Sequence, residues 1–215
     1  MRKTLLSVLF IAVCVSIPVG LCNAYPKPAV VQDLDEWTLD VQFDQPKQIV
    51  VDLPNVGKQR YWYTILTVTN NTGSEVPFYP RFELMTDTFQ VIPAGRKYRR
   101  GVFAQIKRLN QGKYPFLEAM DDIVDHKVLA GEDNTRDIAV IWPDFDPNAK
   151  NVKLFFGGFS NETAVVQHPT KLNEQGEPAK IHLQKTLELN YSIGGDPSLR
   201  SQAGLAFKNK QWVMR

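Results

Sequence analysis

Arg96, Lys97, Tyr98, Arg99 and Arg100 place four cations within five residues, the densest charge in the chain. Such a run can grip an anionic polymer, a lipid head group or the acidic face of a partner protein. The acidic groups around Asp121–Asp125 and Glu132–Asp137 offer a competing use, in which the run is paired within the fold. Asp144, Asp146 and Asn148 have the D-x-D-x-N spacing that opens a calcium loop. However, Ala149 stands where that loop needs glycine, and Phe155 stands where it needs a bidentate Glu. Asp and Asn side chains bond nearby backbone amides, so a turn is the expectation there. Asp122 and His126 are four apart and would share one helix face, but one carboxylate and one imidazole are too few ligands for a metal. Gly158-Phe159-Ser160-Asn161-Glu162 lacks the second glycine that a nucleophile elbow needs for its strained turn. The sequence has no Walker A motif, no G-x-G-x-x-G and no H-E-x-x-H.

The aromatic residues suggest a different chemistry. Trp37, Trp62, Trp142 and Trp212, with seven tyrosines, could stack on sugar rings if their faces were exposed. Most of them fall in strand-like stretches, where core packing is the expectation. His168 and His182 stand alone and receive no role, and the sequons at Asn70, Asn161 and Asn190 matter only in a eukaryotic secretory route. No catalytic residue, cofactor site or metal site is assigned.

The amino terminus reads as an export signal. Arg2 and Lys3 precede an apolar stretch from Leu5 to Ile17, Pro18 and Gly20 break it, and Cys22-Asn23-Ala24 offers small residues for cleavage before Tyr25. The apolar run is shorter than the ~20 residues of a membrane span, so residues 1–24 read as a removable signal and no transmembrane segment is expected afterwards. Leu21 fits poorly before a lipidated cysteine, so anchoring at Cys22 is disfavoured. Cleavage removes both cysteines, and with them any disulfide or thiolate chemistry. It also leaves 23 basic against 23 acidic residues, so no global field remains to attract nucleic acid. The expected location is the periplasm or the medium.

These residues must be positioned by a mainly β chain. After a tail over 25–36, Trp37, Leu39, Val41 and Phe43 alternate with polar residues, and Ile49–Leu53 is a second short strand. Arg60–Thr69 is the strongest strand, with Trp62, Leu66 and Val68 on one face and Tyr61, Tyr63 and Ile65 on the other, so both faces should be covered. A strand pair follows near Pro80–Met85 and Thr88–Ile92. Val102–Leu109 and Phe116–Leu129 carry helical spacing and predict a helical insertion over about 101–131. Strands return at Ile138–Trp142, Val152–Phe156 and Thr186–Ile193. Ala203–Phe207 and Gln211–Met214 around Lys208-Asn209-Lys210 predict a terminal hairpin.

Short strands separated by turn signals argue for a sandwich in a single domain over 37–215. YTILTVTNNTGSEVPF (63–78) and LAGEDNTRDIAVIWPDFDPNAKNVKLFFGG (129–158) resemble uncharacterised immunoglobulin-like domains of secreted bacterial envelope proteins. The helical insertion and the terminal hairpin depart from that pattern. The resemblance implies an immunoglobulin-like antiparallel β-sandwich that binds or packs, with no catalytic residues. Taken together, the expectation is an exported, non-enzymatic module that meets a protein or polysaccharide of the envelope, through Arg96, Lys97, Arg99 and Arg100 as nameable contacts. A carbohydrate-binding domain and a hydrolase with paired carboxylates are the alternatives.

Overall fold

The computed structural model describes residues 29–31, 35–95, 100–123 and 125–215. In chain order the first strands are β1 (Ala29–Val31), β2 (Asp40–Phe43), β3 (Lys47–Leu53), β4 (Gly57–Thr69), β5 (Val76–Pro77), β6 (Arg81–Thr86) and β7 (Val91–Pro93). The helix α1 (Arg100–Asn110) follows, then β8 (Glu118–Ala119) and β9 (Lys127–Val128). The chain closes with β10 (Arg136–Pro143), β11 (Asn151–Gly157), β12 (Thr163–Leu172), β13 (Pro178–Ile193) and β14 (Leu205–Met214). The protein is mainly β, as its patterning predicts.

One sheet runs β1-β12-β13-β11-β6-β7, with β14 also on β13; a second runs β2-β4-β10-β8, with β3 also on β4. β13 serves three neighbours because its first half pairs with β12 and its second half lies between β11 and β14. Every pairing is antiparallel except that of β8 with β10. The two sheets share one core, in which Trp62, Leu66 and Trp142 from one meet Phe82, Phe156 and Leu189 from the other. A second core lies on the far face of β4 and β10, where Tyr61, Tyr63, Ile65 and Ile141 pack against Val102 and Ile106 of α1. The expected two-faced burial of Arg60–Thr69 is therefore met by sheet on one side and helix on the other.

Covering both faces requires a parity switch in the neighbouring strand. Phe43 of β2 pairs with Leu66, but Lys47 of β3 pairs with Tyr63, so one extra residue lies between them opposite β4. A bulge of one residue flips every later side chain to the other face. Val41 and Phe43 accordingly pack on the sheet–sheet core, whereas Ile49, Val51 and Leu53, also odd-numbered, face the helix. The bulge is held by Asp44, whose N–H donates to Ile65 O (2.9 Å) and whose carbonyl accepts from Thr64 Oγ1 (2.6 Å).

Two expectations are corrected. Only the first half of the predicted helical insertion is helix: beyond α1, Phe116–Leu129 forms turns, the two short strands β8 and β9, and a 3-10 turn at Met120–Asp122. Its apolar residues go to different places. Leu117 enters the helix-side core, Ala119 pairs alongside β10, and Ile123 and Val128 enter the sheet–sheet core. One helical stripe cannot face two cores separated by a sheet. The predicted terminal hairpin is a single strand, β14, which follows β13 along its length. Lys208 is an extra residue in that ladder, since Asn190 pairs with Asn209 but Tyr191 with Phe207. The Lys208-Asn209-Lys210 segment has no glycine to make a tight hairpin turn, and the bulge absorbs it instead.

The Asp144–Asn148 segment is a turn, as expected. Asp146 accepts from the Asn148 amide (2.9 Å), and Asp144 accepts from Trp62 Nε1 (2.9 Å) and Arg60 Nη1 (3.1 Å). Arg200 closes this end of the core, 5 % exposed, with its guanidinium 4.4 Å from the Phe145 ring centre and 5.6 Å from that of Trp62.

Deleting Gln45 removes the extra residue and turns Ile49, Val51 and Leu53 away from α1. We expect loss of cooperative urea unfolding followed by tryptophan fluorescence, whereas Gln45→Ala keeps the transition within about 1 kcal/mol. A cooperative transition in the deletion variant would refute the parity argument.

Candidate functional site

The four tryptophans divide evenly. Trp62 and Trp142 are 1 % exposed in the core, as expected of strand aromatics, while Trp37 and Trp212 reach the surface. Lys185 lies over the Trp212 ring at 5.3 Å. Trp37 instead stands in an open trough at the strand ends. On one side is a groove of about 530 Å3, which includes Tyr79, Arg81, Met120, His126 and Gln184. On the other is a depression of about 350 Å3 lined by Asp35, Glu36 and Glu75 among others. Trp37, Pro77 and Asn161 line both, so the two depressions adjoin at those residues.

Tyr79 is 64 % exposed, and its ring stacks on His126, with ring centres 4.9 Å apart and planes 20° from parallel. Backbone constraints make that stack. The β5–β9 ladder sets Val76 opposite Val128, and the next amide, Phe78 N, donates to His126 O (2.7 Å). His126 adopts φ 48°, a left-handed conformation that turns the chain there. Gly158 lies beneath: at φ +86°, a Cβ added to it would sit 2.4 Å from Tyr79 O. Only glycine permits both that conformation and that approach.

Trp37 is fixed by a polar strut. Its N–H donates to Asn161 Oδ1 (2.7 Å) and its carbonyl accepts from Ser160 Oγ (2.9 Å). Thr38 Oγ1 lies 3.0 Å from both Ser160 Oγ and Glu162 Oε1, and Lys185 bonds Glu162 and reaches Thr38 Oγ1 at 3.3 Å. Lys185 beside it holds the Glu162 carboxyl below its usual range, against the opposing effect of burial. Ser160 and Asn161 are thus committed to positioning Trp37. The groups left facing the trough are the aromatic rings, Arg81 and Gln184, which bond each other (Arg81 Nη2 to Gln184 Oε1, 2.6 Å). A smaller depression of about 250 Å3 lies beyond Arg81 on the outer sheet face. The protein's own Arg215 occupies its wall, pairing with Glu83 (2.5 Å) and lying 4.0 Å over Phe155.

The chemistry available is recognition by stacking and by planar polar groups. No Asp or Glu is among the described residues of the Tyr79 groove. Among the described residues no group of three or more His, Cys, Asp or Glu is placed to hold a metal ion. Asp122 and His126 do not share a helix face, because that segment is not helical; His126 serves the aromatic stack instead. His168 accepts from the amides of Thr170 (3.3 Å) and Lys171 (3.0 Å), and His182 lies on the exposed part of β13. Arg96, Lys97 and Arg99 lie outside the described residues, as do the signal segment and Cys22, and Arg100 is the first residue of α1.

Sequence reasoning missed Tyr79, and it weighed His126 only as a metal ligand beside Asp122. The signal available was Pro77-Phe78-Tyr79-Pro80, since an aromatic residue beside prolines falls outside a ladder and tends to stay in a surface loop. No family model, curated protein or solved structure matches this chain.

Two measurements check the positioning. Gly158→Ala combines left-handed strain with overpacking and is expected to cost about 3 kcal/mol in urea unfolding. Gly73→Ala, at φ +85° with open space around it, should cost about 1 kcal/mol. The depressed Glu162 carboxyl contributes stability that is present above the ordinary carboxylate range and lost as pH falls through its folded value. Lys185→Met should therefore lower the urea midpoint at pH 7 and shrink the difference between pH 7 and pH 3. An unchanged difference would show that the strut makes no ionic contribution.

Proposed function

We propose that this chain is an exported binding module of the bacterial envelope, without catalytic activity, whose trough takes a carbohydrate chain across Trp37 and Tyr79. One observation carries the reading. An exposed aromatic ring, stiffened by a stacked imidazole, lines one open groove with a second aromatic residue and a paired guanidinium and amide. Sugar rings offer apolar faces to aromatic rings and hydroxyls to planar donors and acceptors. The groove and the depression that adjoins it are both open to solvent, which suits a polymer better than an enclosed small molecule.

Export rests on the amino-terminal pattern of residues 1–24. Among the described residues no helix is long and apolar enough to cross a membrane. The immunoglobulin-like reading rests on the 63–78 and 129–158 resemblance, and two mostly antiparallel sheets around one aromatic core are in keeping with it. In this reading α1 is an addition to such a sandwich, laid on the outer face of one sheet.

Tyr79→Ala is expected to weaken binding to an envelope polysaccharide at least about tenfold, read by affinity electrophoresis, with urea stability retained. Tyr79→Phe should keep most of the affinity. The bound glycan should be recovered intact by mass spectrometry; cleaved products would overturn the non-catalytic reading, and equal binding by Tyr79→Ala would remove the trough.

A further inference from the structure

The trough is not electrically uniform. Arg81 opens β6, and its pairing with Gly157 ends the β6–β11 ladder beside the groove. It is an exposed residue of the groove lining. Among the described residues it forms no ion pair. Its partner is a neutral amide: Nη2 donates to Gln184 Oε1 (2.6 Å). Glu83, two residues further along β6, is taken by Arg215 (2.5 Å). The groove therefore holds a guanidinium with no carboxylate of its own. A guanidinium is a rigid fork of N–H donors that meets a carboxylate with two parallel bonds, and only Nη2 is engaged here.

The adjoining depression has the opposite sign. Asp35, Glu36 and Glu75 line it, with no Lys or Arg among its described residues, although Lys127 pairs with Glu75 from outside it (3.0 Å). A polymer acidic at every sugar would bring like charge against these groups, whereas acidic sugars separated by neutral ones would not. The geometry points to a polysaccharide in which uronic acids alternate with neutral sugars. Arg81 holds the uronate carboxylate, and a neutral ring passes Trp37 toward the depression. This inference rests on the trough reading and names the class of its ligand.

The test is isothermal titration calorimetry with four soluble polymers: hyaluronan, its carboxyl-reduced form, polygalacturonate and dextran sulfate. Hyaluronan, in which glucuronate alternates with a neutral sugar, should bind at least about tenfold more tightly than each of the others, and this preference over the carboxyl-reduced form should shrink at high salt. Arg81→Gln should bring the ratio between hyaluronan and its carboxyl-reduced form to about one, with urea unfolding confirming that the variant folds. Tyr79→Ala should weaken both forms alike. Equal binding of the two forms by the wild type, a ratio that Arg81→Gln leaves unchanged, or no binding of hyaluronan overturns the inference. Binding of polygalacturonate as tight as that of hyaluronan overturns the alternation, and equally tight binding of dextran sulfate overturns the carboxylate. Equal binding of the two hyaluronan forms that Tyr79→Ala abolishes leaves the trough reading standing without its acidic ligand, so the two failures are told apart.

Discussion

β4 and β10 are buried on both faces, and most of the architecture follows from that one constraint. Their paired stretch, Tyr61–Val68 against Arg136–Pro143, supplies Trp62, Leu66, Val140 and Trp142 to one core and Tyr61, Tyr63, Ile65 and Ile141 to the other. Each large apolar side chain removed from water contributes roughly 1.5–3 kcal/mol, so leaving either face bare would be costly. The seven-stranded sheet covers one face. The other needs α1 and β3, and β3 can serve it only because the bulge at Asp44 reverses the parity inherited from β2.

Burial on this scale places demands on polar atoms. Trp62 Nε1 meets its demand through Asp144, which also takes Arg60 and so ties β4 to the loop after β10. Among the described residues, Trp142 Nε1 and Tyr191 Oη have no hydrogen-bond partner. Their rings are packed instead, Trp142 parallel to Phe156 at 6.5 Å and Tyr191 edge-on to Phe207 at 5.6 Å. Arg200 is the opposite case, a cation whose charge rests on aromatic faces and backbone carbonyls. Burial holds its guanidinium below its usual range, so it stays in place through stacking and packing more than through an ion pair.

The trough lies where the strands end and the ladder no longer occupies the backbone. Trp37 is held from three directions by Ser160, Asn161 and the Thr38–Glu162–Lys185 group, and Tyr79 is held by the His126 ring and by the space above Gly158. Recognition by stacking needs faces that do not turn away when a ligand arrives, and preorganisation of this kind lowers the cost of binding. α1 lies across the five-stranded sheet from the shared core.

Period-two alternation was enough to locate β2, β4, β10, β11 and the second half of β13, and helical spacing located α1, because those segments bury one pattern against one surface. The rest required the tertiary structure. Phe116–Leu129 has a helical pattern, yet its apolar residues are shared between two cores on opposite sides of a sheet. β12 and the first half of β13 are largely exposed, so they lack the apolar contrast that marks a strand. The Lys208 bulge and the Tyr79–His126 stack depend on residues far apart in the chain. The sequence by itself determined the mainly β character, the two-faced central strand, the small net charge of +2 and the absence of the common catalytic motifs. Only the tertiary structure decided which aromatic rings reach the surface and what stands beside them, because exposure is set by what the other strands cover and no local pattern records it.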